Sequence, residues 1–282
     1  MTQQQTYIHG HHASVLKTHS QRTAQNSCHF LLSSAHLQNL SSKTPAFTLL
    51  DAGCGPGSIT ISLAKLFPKA QITALDFSNT ALEFAREAAA KEKVTNVTFV
   101  QGDVYRLPFE TDAFDIVHAQ QLLCHLADPV AAINEMKRVV KAAGGLIALR
   151  ETDVPGVFFY PELVLLKRMF SLVTEQMESA ETAGDARAGR KLKSWILQSK
   201  GAKKDDLTMS AGTWSYSSES ERHAFAEAWM ERVTSSDFAL KTLESGRASR
   251  EELQQIQQAW KEWSEDEDGF LCIPHGEALI SC

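Results

Sequence analysis

The stretch Phe47-Thr48-Leu49-Leu50-Asp51-Ala52-Gly53-Cys54-Gly55-Pro56-Gly57-Ser58 decides how this chain is read. Phe47 and the two leucines have the character of the end of a buried strand. Three glycines follow at alternate positions, and Ile59-Thr60-Ile61-Ser62-Leu63-Ala64-Lys65-Leu66 then opens an apolar helix. A strand, a glycine-rich turn and a helix N-terminus make a nucleotide-type site, because only glycine lets a backbone come this close to a ligand. The spacing separates two ligand classes. A dinucleotide fingerprint carries its third glycine one residue later, where this chain has Ser58.

Two further acidic residues stand downstream. Gln71-Ile72-Thr73-Ala74-Leu75 is a short apolar strand closed by Asp76, one helix beyond the glycine turn. A carboxylate there is placed to accept from both hydroxyls of a ribose; the alternative is a surface carboxylate capping the helix near Ser78-Asn79. Val97-Thr98-Phe99-Val100-Gln101 then ends in Gly102-Asp103-Val104. With Asp51 followed by Gly-x-Gly-x-Gly, this set resembles the class I S-adenosylmethionine-dependent methyltransferases. Leu107-Pro108-Phe109 and Phe114-Asp115-Ile116-Val117-His118 match the family's fourth-strand region, so the likeness runs over residues 47–150.

The resemblance implies an S-adenosylmethionine site built from Asp51, Gly53, Cys54, Gly55 and Gly57, with Asp76 and Phe77 at the ribose. Gly102, Asp103 and Val104 would read the adenine edge, and Gln120 would touch the cofactor through backbone or amide. It also implies an α/β, Rossmann-like seven-stranded sheet in the order 3-2-1-4-5-7-6, with an N-terminal helical lid and a helical insertion after strand five. Asp115 is read as a structural acid at a strand start.

The chain alternates strand and helix from the glycine turn onward, which implies parallel strands with right-handed crossovers. The expected elements are strand 46–51, helix 58–66, strand 71–76, helix 79–92, strand 97–101, strand 114–118, helix 129–142 and strand 145–151. Asp128 is placed to cap the helix that Pro129 opens, and Gly144-Gly145 ends it. Beyond Asp153 the expectation is helices over 161–178 and 187–199, a strand near 209–216, helices over 218–234 and 249–264, and a last strand near 269–281. The whole is expected to be one domain, with residues 1–42 as the lid, 43–153 as the cofactor-binding half, and 154–282 as the substrate cover and closing strands.

Composition sets limits. A chain of 282 residues, 43% hydrophobic, can bury a sizeable core. A formal charge of −6 without a basic run argues against a nucleic-acid partner. The polar N-terminus lacks a signal peptide's apolar core, and no stretch is long and apolar enough to span a bilayer, so a soluble, cytoplasmic protein is expected. Five scattered cysteines suit a reducing compartment and offer no zinc-ligand spacing. No metal is expected, and a monomer is favoured.

Tyr7-Ile8-His9-Gly10-His11-His12 and Arg22-Thr23-Ala24-Gln25-Asn26-Ser27 form a second signal. They resemble small-molecule methyltransferases related to the ubiquinone-pathway C-methyltransferases, in which an N-terminal helix closes over the cofactor. The resemblance implies cofactor contacts for Arg22 and Asn26, with Arg22 on the methionine carboxylate; the alternative for Arg22 is a plain surface arginine. His9, His11 and His12 are read as a lid hinge before a metal site, and Tyr7 and His9 as pocket candidates.

In-line displacement at a sulfonium methyl asks the protein mainly to align the reactants and exclude water. A base is needed only for a poorly ionised nucleophile. His125 and His118, near the end of strand four, are the candidates for proton handling, together with His9 in the lid; packing in the following helix is the alternative for His125. Phe158, Phe159, Tyr160, Trp195 and Trp214 are candidate walls for a bulky organic substrate, with Trp229 beside them. Gly184 to Leu192 and Pro274-His275-Gly276-Glu277 resemble segments shared by fungal natural-product methyltransferases, and it is the overall character of the chain, rather than any motif that reads sulfur, that is similar to those that S-methylate the reduced dithiol of gliotoxin. The first expectation is therefore thiol methylation of a hydrophobic secondary metabolite. C-methylation of a quinone or sterol, O- or N-methylation of another natural product, and a cofactor-binding regulator without turnover are the alternatives.

Overall fold

Strand and helix alternate through the first half as the sequence implies, and the strands join into one sheet. The computed structural model describes residues 22–179 and 183–282. Three short helices lead in: α1 (Ala24–Ser27), α2 (His29–Leu32) and α3 (Ala35–Lys43). The α/β core follows as β1 (Thr48–Ala52), α4 (Ser58–Leu66), β2 (Gln71–Asp76), α5 (Asn79–Lys91), β3 (Val97–Gln101), β4 (Ile116–Gln120), α6 (Pro129–Val139) and β5 (Leu146–Thr152). The second half holds β6 (Phe158–Tyr160), α7 (Val164–Met177), α8 (Ala188–Gln198), β7 (Leu207–Tyr216), α9 (Glu219–Ser235), α10 (Asp237–Glu244), α11 (Arg250–Glu265) and β8 (Phe270–Ser281).

β3, β2, β1, β4 and β5 lie side by side and parallel, and β8 returns antiparallel against β5. β7 pairs with β8 along its other edge, from Leu207 opposite Ile280 to Tyr216 opposite Leu271. The order is thus 3-2-1-4-5-8-7, the expected 3-2-1-4-5-7-6 with one strand inserted in the count. That strand is β6, three residues opposite Phe270 to Cys272, which prolongs the β5 side of β8.

Parallel strands covered on both faces should be apolar throughout, and β4 and β5 are buried along their whole length. β4 begins at Ile116, two residues later than expected, because Asp115 is spent on anchoring. Its carboxylate takes Thr48 N and Thr48 Oγ1, each at 2.8 Å, and Lys141 Nζ at 2.6 Å. Asp128 accepts from Ala131 N and caps α6 as its position suggested. The helix α10 is absent from the expectation. It follows α9 after a single residue, Ser236, whose side chain caps it, so the break leaves little trace in the periodicity.

Three apolar clusters hold the fold. One lies under β1, α4 and the N-terminal helices, and includes Ala24, Cys28, Leu31 and Leu37. The N-terminal helices are therefore tied to the core on one side: Ala24 N donates to Ser62 Oγ at 3.0 Å, linking α1 to α4. The second cluster fills the space between the sheet, α6 and α8. The third joins α7, α9, α10 and α11 around Trp229 and Trp260, whose rings stack 6.0 Å apart. It forms the cover expected from the insertion after strand five.

Candidate active site

A cavity of about 280 Å³ opens at the carboxyl ends of β1 to β4 and runs beneath the helical cover. This is where an open α/β sheet reverses its strand order and offers a crevice. After β1 it is lined by Asp51, Gly53, Cys54 and Gly55; after β2 by Asp76 and Phe77; after β3 by Gly102, Asp103 and Val104. The glycine turn is hung on β2: Gly53 N and Cys54 N donate to Leu75 O at 2.7 and 3.0 Å, and Gly55 N to Asp76 Oδ2 at 2.8 Å. Gly55, a lining residue, has φ +53°, and a Cβ there would meet nothing within 4 Å. Asp76 also accepts Ser78 N through Oδ1 at 2.9 Å. Both readings of that residue thus meet in one place, since Asp76 steadies the entry to α5 and faces the cavity. Gly57 does not line it; its Cβ would meet Ala85 at 2.8 Å, so its service is to bring α4 close to α5.

Beneath the turn runs a buried polar chain. Pairing of β1 with β4 sets Asp51 beside His118. His118 Nδ1 lies 2.8 Å from Asp51 Oδ1, and its Nε2 lies 3.4 Å from Cys28 Sγ. Thr60 donates to the other oxygen of Asp51. Burial alone opposes charge on this imidazole, but Cys28 and Asp51 outweigh it and hold His118 up to about 10. The ring is a structural cation under the cofactor turn. Cys54 is driven the opposite way from reactivity: burial, with Asp51 and Asp76 close by, raises its thiol well above the ordinary value.

The segment after β4 is shaped by Glu151, a fully buried residue of β5. Its carboxylate accepts Leu122 N and Leu123 N through one oxygen at 3.1 and 2.8 Å, and Cys124 N through the other at 3.2 Å. Burial raises it to about 7, against the pull of those three donors. Gln120, at the end of β4, lines the cavity and is 7% exposed, with neither amide oxygen nor nitrogen hydrogen-bonded. A buried carboxamide in that condition points to a ligand that supplies both a donor and an acceptor. This orphaned amide, the open face of Gly55 and the carboxylates at three strand ends fit S-adenosylmethionine.

The far end of the cavity is walled by Val157, Phe170, Val173, Tyr216, Phe225 and Trp229. His125 and Trp214 also line it. Trp214 is fixed by Nε1 donating to Asn26 O at 3.0 Å, with the guanidinium groups of Arg22 and Arg150 at 4.6 and 4.8 Å from its ring centre. Arg22 reaches the cavity, whereas Asn26 caps α1 and lies in the neighbouring surface groove. Burial and Arg22 push His125 down to about 4, so the ring stays neutral at physiological pH.

Four of the expected substrate residues lie elsewhere, and the reading is corrected for them. Phe158 and Tyr160 are 56% and 59% exposed on the outward side of β6, and Phe159 packs against Phe170 behind the wall. Trp195 sits on α8 between two core clusters. Alternation along a strand sends Phe158 and Tyr160 away from the side that holds Phe159. Tyr7 and His9 lie outside the described residues. The residues that the sequence did not single out are Cys28, Thr60, Glu151, Tyr216, Phe225 and Arg232. Only Glu151 left a signal, as the second of two charges, Arg150-Glu151, inside an otherwise apolar strand.

Such a cavity at the switch point of a 3-2-1-4-5-8-7 sheet defines a Rossmann-like methyltransferase fold. The methyltransferase domain family matches residues 43–209. An uncharacterized methyltransferase of Schizosaccharomyces pombe is 31% identical over 286 residues, 99% of this chain and 97% of that protein. Demethylmenaquinone methyltransferase of Staphylococcus aureus is 38% identical over 124 residues, covering 44% of this chain and 48% of that enzyme. Among solved structures, the YcgJ protein of Bacillus subtilis aligns with a TM-score of 0.50 at 16% identity, covering 87% of this chain and 97% of that one. Phosphoethanolamine N-methyltransferase 2 of Haemonchus contortus, solved with S-adenosylhomocysteine, aligns with a TM-score of 0.51 at 19% identity, covering 87% and 52%. The chain belongs to the methyltransferase domain family and is an S-adenosylmethionine-dependent methyltransferase.

Proposed function

We propose that this enzyme methylates a small, largely apolar organic acceptor, with a thiol sulfur as the receiving atom. S-adenosylmethionine supplies a methyl group already activated by its positive sulfur. The observation that carries the reading is the acceptor end of the cavity, with aromatic and aliphatic walls and a histidine, His125, held neutral by a value near 4. A ring of such low basicity cannot take a proton from a phenol, whose ordinary value is about 10. A thiol, near 8.5, is a few per cent ionised at neutral pH and strongly nucleophilic in that form. Asp51, Asp76 and Asp103 would hold the cofactor through its ammonium group, ribose and adenine, and Gln120 would meet its polar end. The walls exclude water and align the acceptor.

Reduced gliotoxin, with two thiols on a compact hydrophobic frame, is the first acceptor to test. The reading places the enzyme as a monomer in the cytoplasm, where a dithiol and the five free cysteines stay reduced. The second reading is C-methylation of a quinol, favoured by the 38% match to demethylmenaquinone methyltransferase. Incubation with cofactor, reductant and either gliotoxin or demethylmenaquinol, followed by mass spectrometry, decides between them. Mono- and then bis-methylthio products are expected. A methylated quinol with unmodified gliotoxin would overturn the sulfur reading.

A further inference from the structure

Two polar heads stand in the otherwise hydrocarbon wall at the far end of the cavity. Val157, Phe170, Val173 and Phe225 offer it carbon alone, whereas Tyr216 brings a hydroxyl and Trp229 an indole N–H. Tyr216 ends β7, and Phe225 and Trp229 follow four positions apart on α9, a spacing that sets both on one helix face. The Phe225 ring lies 4.0 Å from that of Tyr216 at an angle of 23°, and 6.3 Å from that of Trp229 at 67°. Trp229 stacks in turn on Trp260 at 6.0 Å. The rings of this wall therefore fix one another, and close packing limits how far either polar head can move.

Neither head has a hydrogen-bond partner among the described residues. Trp229 Nε1 is buried and donates to nothing. The Tyr216 hydroxyl also makes no hydrogen bond, and burial pushes it up to about 12, so it keeps its proton and can donate. Buried indole and phenol groups ordinarily find a partner. Trp214, another lining residue, does so: its Nε1 is spent on Asn26 O at 3.0 Å. Trp260, one layer behind, leaves its Nε1 unbonded as well, but it is fully buried and borders no described cavity. Two unspent donors on one cavity wall call for a ligand that accepts.

We propose that the acceptor molecule carries a carbonyl-type oxygen, apart from the atom that receives the methyl group, and that the Tyr216 hydroxyl donates to it. This rests on the methyltransferase reading above and adds the group by which the acceptor is oriented, whichever of its atoms is methylated. A polyol would bring hydroxyl hydrogens that a wall of carbon and donors leaves unmatched, at a cost in desolvation. The oxygen of a ketone, amide or quinone accepts without donating, and the rest of a flat molecule is left to the aromatic faces. Holding that oxygen fixes how the reacting atom is presented, the alignment on which transfer depends.

The test uses the full chain saturated with S-adenosylhomocysteine and two flat probes of one shape, 2-acetylnaphthalene and 2-isopropenylnaphthalene, the first bearing an oxygen where the second bears a methylene. Calorimetry gives both affinities in wild type and in Tyr216→Phe. Loss of the hydroxyl should weaken the ketone by about five- to tenfold and leave the alkene within about twofold. Infrared spectra of the ketone, isotope-labelled at its carbonyl carbon, supply a readout that packing alone would not move. In wild type the carbonyl band should lie below its position in hexane, and it should rise in Tyr216→Phe. The wild-type band decides alone should the variant not fold. Equal losses for ketone and alkene, a wild-type band at the hexane position, a band that stays put in Tyr216→Phe, or no measurable binding of the ketone would overturn the proposal. Failure of wild type to bind S-adenosylhomocysteine at all would instead strike the methyltransferase reading itself.

Discussion

Asp76→Ala puts the cofactor site to its most direct test. A carboxylate has about four acceptor positions, and Asp76 takes Gly55 N and Ser78 N at 2.8 and 2.9 Å on separate oxygens. Asp76 lines the cavity, where the ribose of the cofactor would present two hydroxyls. Each hydrogen bond to a charged acceptor is worth about 1.5–3 kcal/mol, so removing two should cost about 3–6 kcal/mol, or roughly a hundredfold to ten-thousandfold in Kd. The variant also loses two backbone anchors, worth about 1 kcal/mol each, which should lower Tm by several degrees without unfolding the chain. Asp76→Asn retains one acceptor oxygen and should fall between, at about a tenfold loss. Calorimetric titration with S-adenosylhomocysteine reads both. A folded Asp76→Ala protein that binds within threefold of wild type would refute the ribose role and leave Asp76 as a turn anchor alone.

Glu151→Gln and Gly276→Ala test the frame of the site. Glu151 has a folded value near 7, above the ordinary 4.5. Between those values the folded chain holds a proton that the unfolded chain has lost, so this group's contribution to stability falls as pH rises from 4.5 to 7. His125, lowered to about 4, works in the opposite sense, losing stability as pH falls below about 6.5. Urea midpoints of wild type and Glu151→Gln should therefore differ in slope over pH 5–7, and parallel curves would disprove the assignment. At Gly276 a Cβ would meet the carbonyl oxygen of Gly189 at 2.1 Å. Gly276→Ala must displace α8 from β8 and should cost about 1–3 kcal/mol, read as a lowered denaturation midpoint; an unchanged midpoint would show that the contact yields freely.

The cofactor half was legible in the sequence because its parts are local. An acid, a spaced set of glycines and a helix start lie within a dozen residues, and Asp76 and Asp103 each close a short apolar strand. Alternation implied parallel strands, and the family resemblance implied their order. The acceptor half was not legible, because which aromatic faces the cavity is decided by packing. Phe158 and Tyr160 sit together in sequence after β5 yet point outward, whereas Phe170, Tyr216 and Phe225 come from three separate elements and converge. The chain from Cys28 to His118 joins residues 90 positions apart. Neither residue carries a local mark, since a lone cysteine and a lone histidine on apolar elements are ordinary core residues.

The two charges inside β5 give this division a physical basis. Successive strand residues face opposite sides, so Arg150 and Glu151 act on different neighbours. Arg150 Nε lies 3.1 Å from Glu277 Oε1 on β8, and Ser210 of β7 donates to the other oxygen at 2.9 Å. The same guanidinium packs on Trp214, a lining residue. Glu151 grips the backbone of Leu122, Leu123 and Cys124, the segment that carries His125. Opposite walls of the cavity thus hang from adjacent residues of one strand. Burying an ion pair is weak evidence for stability, and an apolar pair of equal volume at Arg150 and Glu277 could leave the fold as stable. Apolar side chains there would not hold Trp214 at a fixed distance from the cofactor loops, nor would one in place of Glu151 hold the turn after β4. A methyl transfer that tolerates little misalignment gives those buried charges their reason.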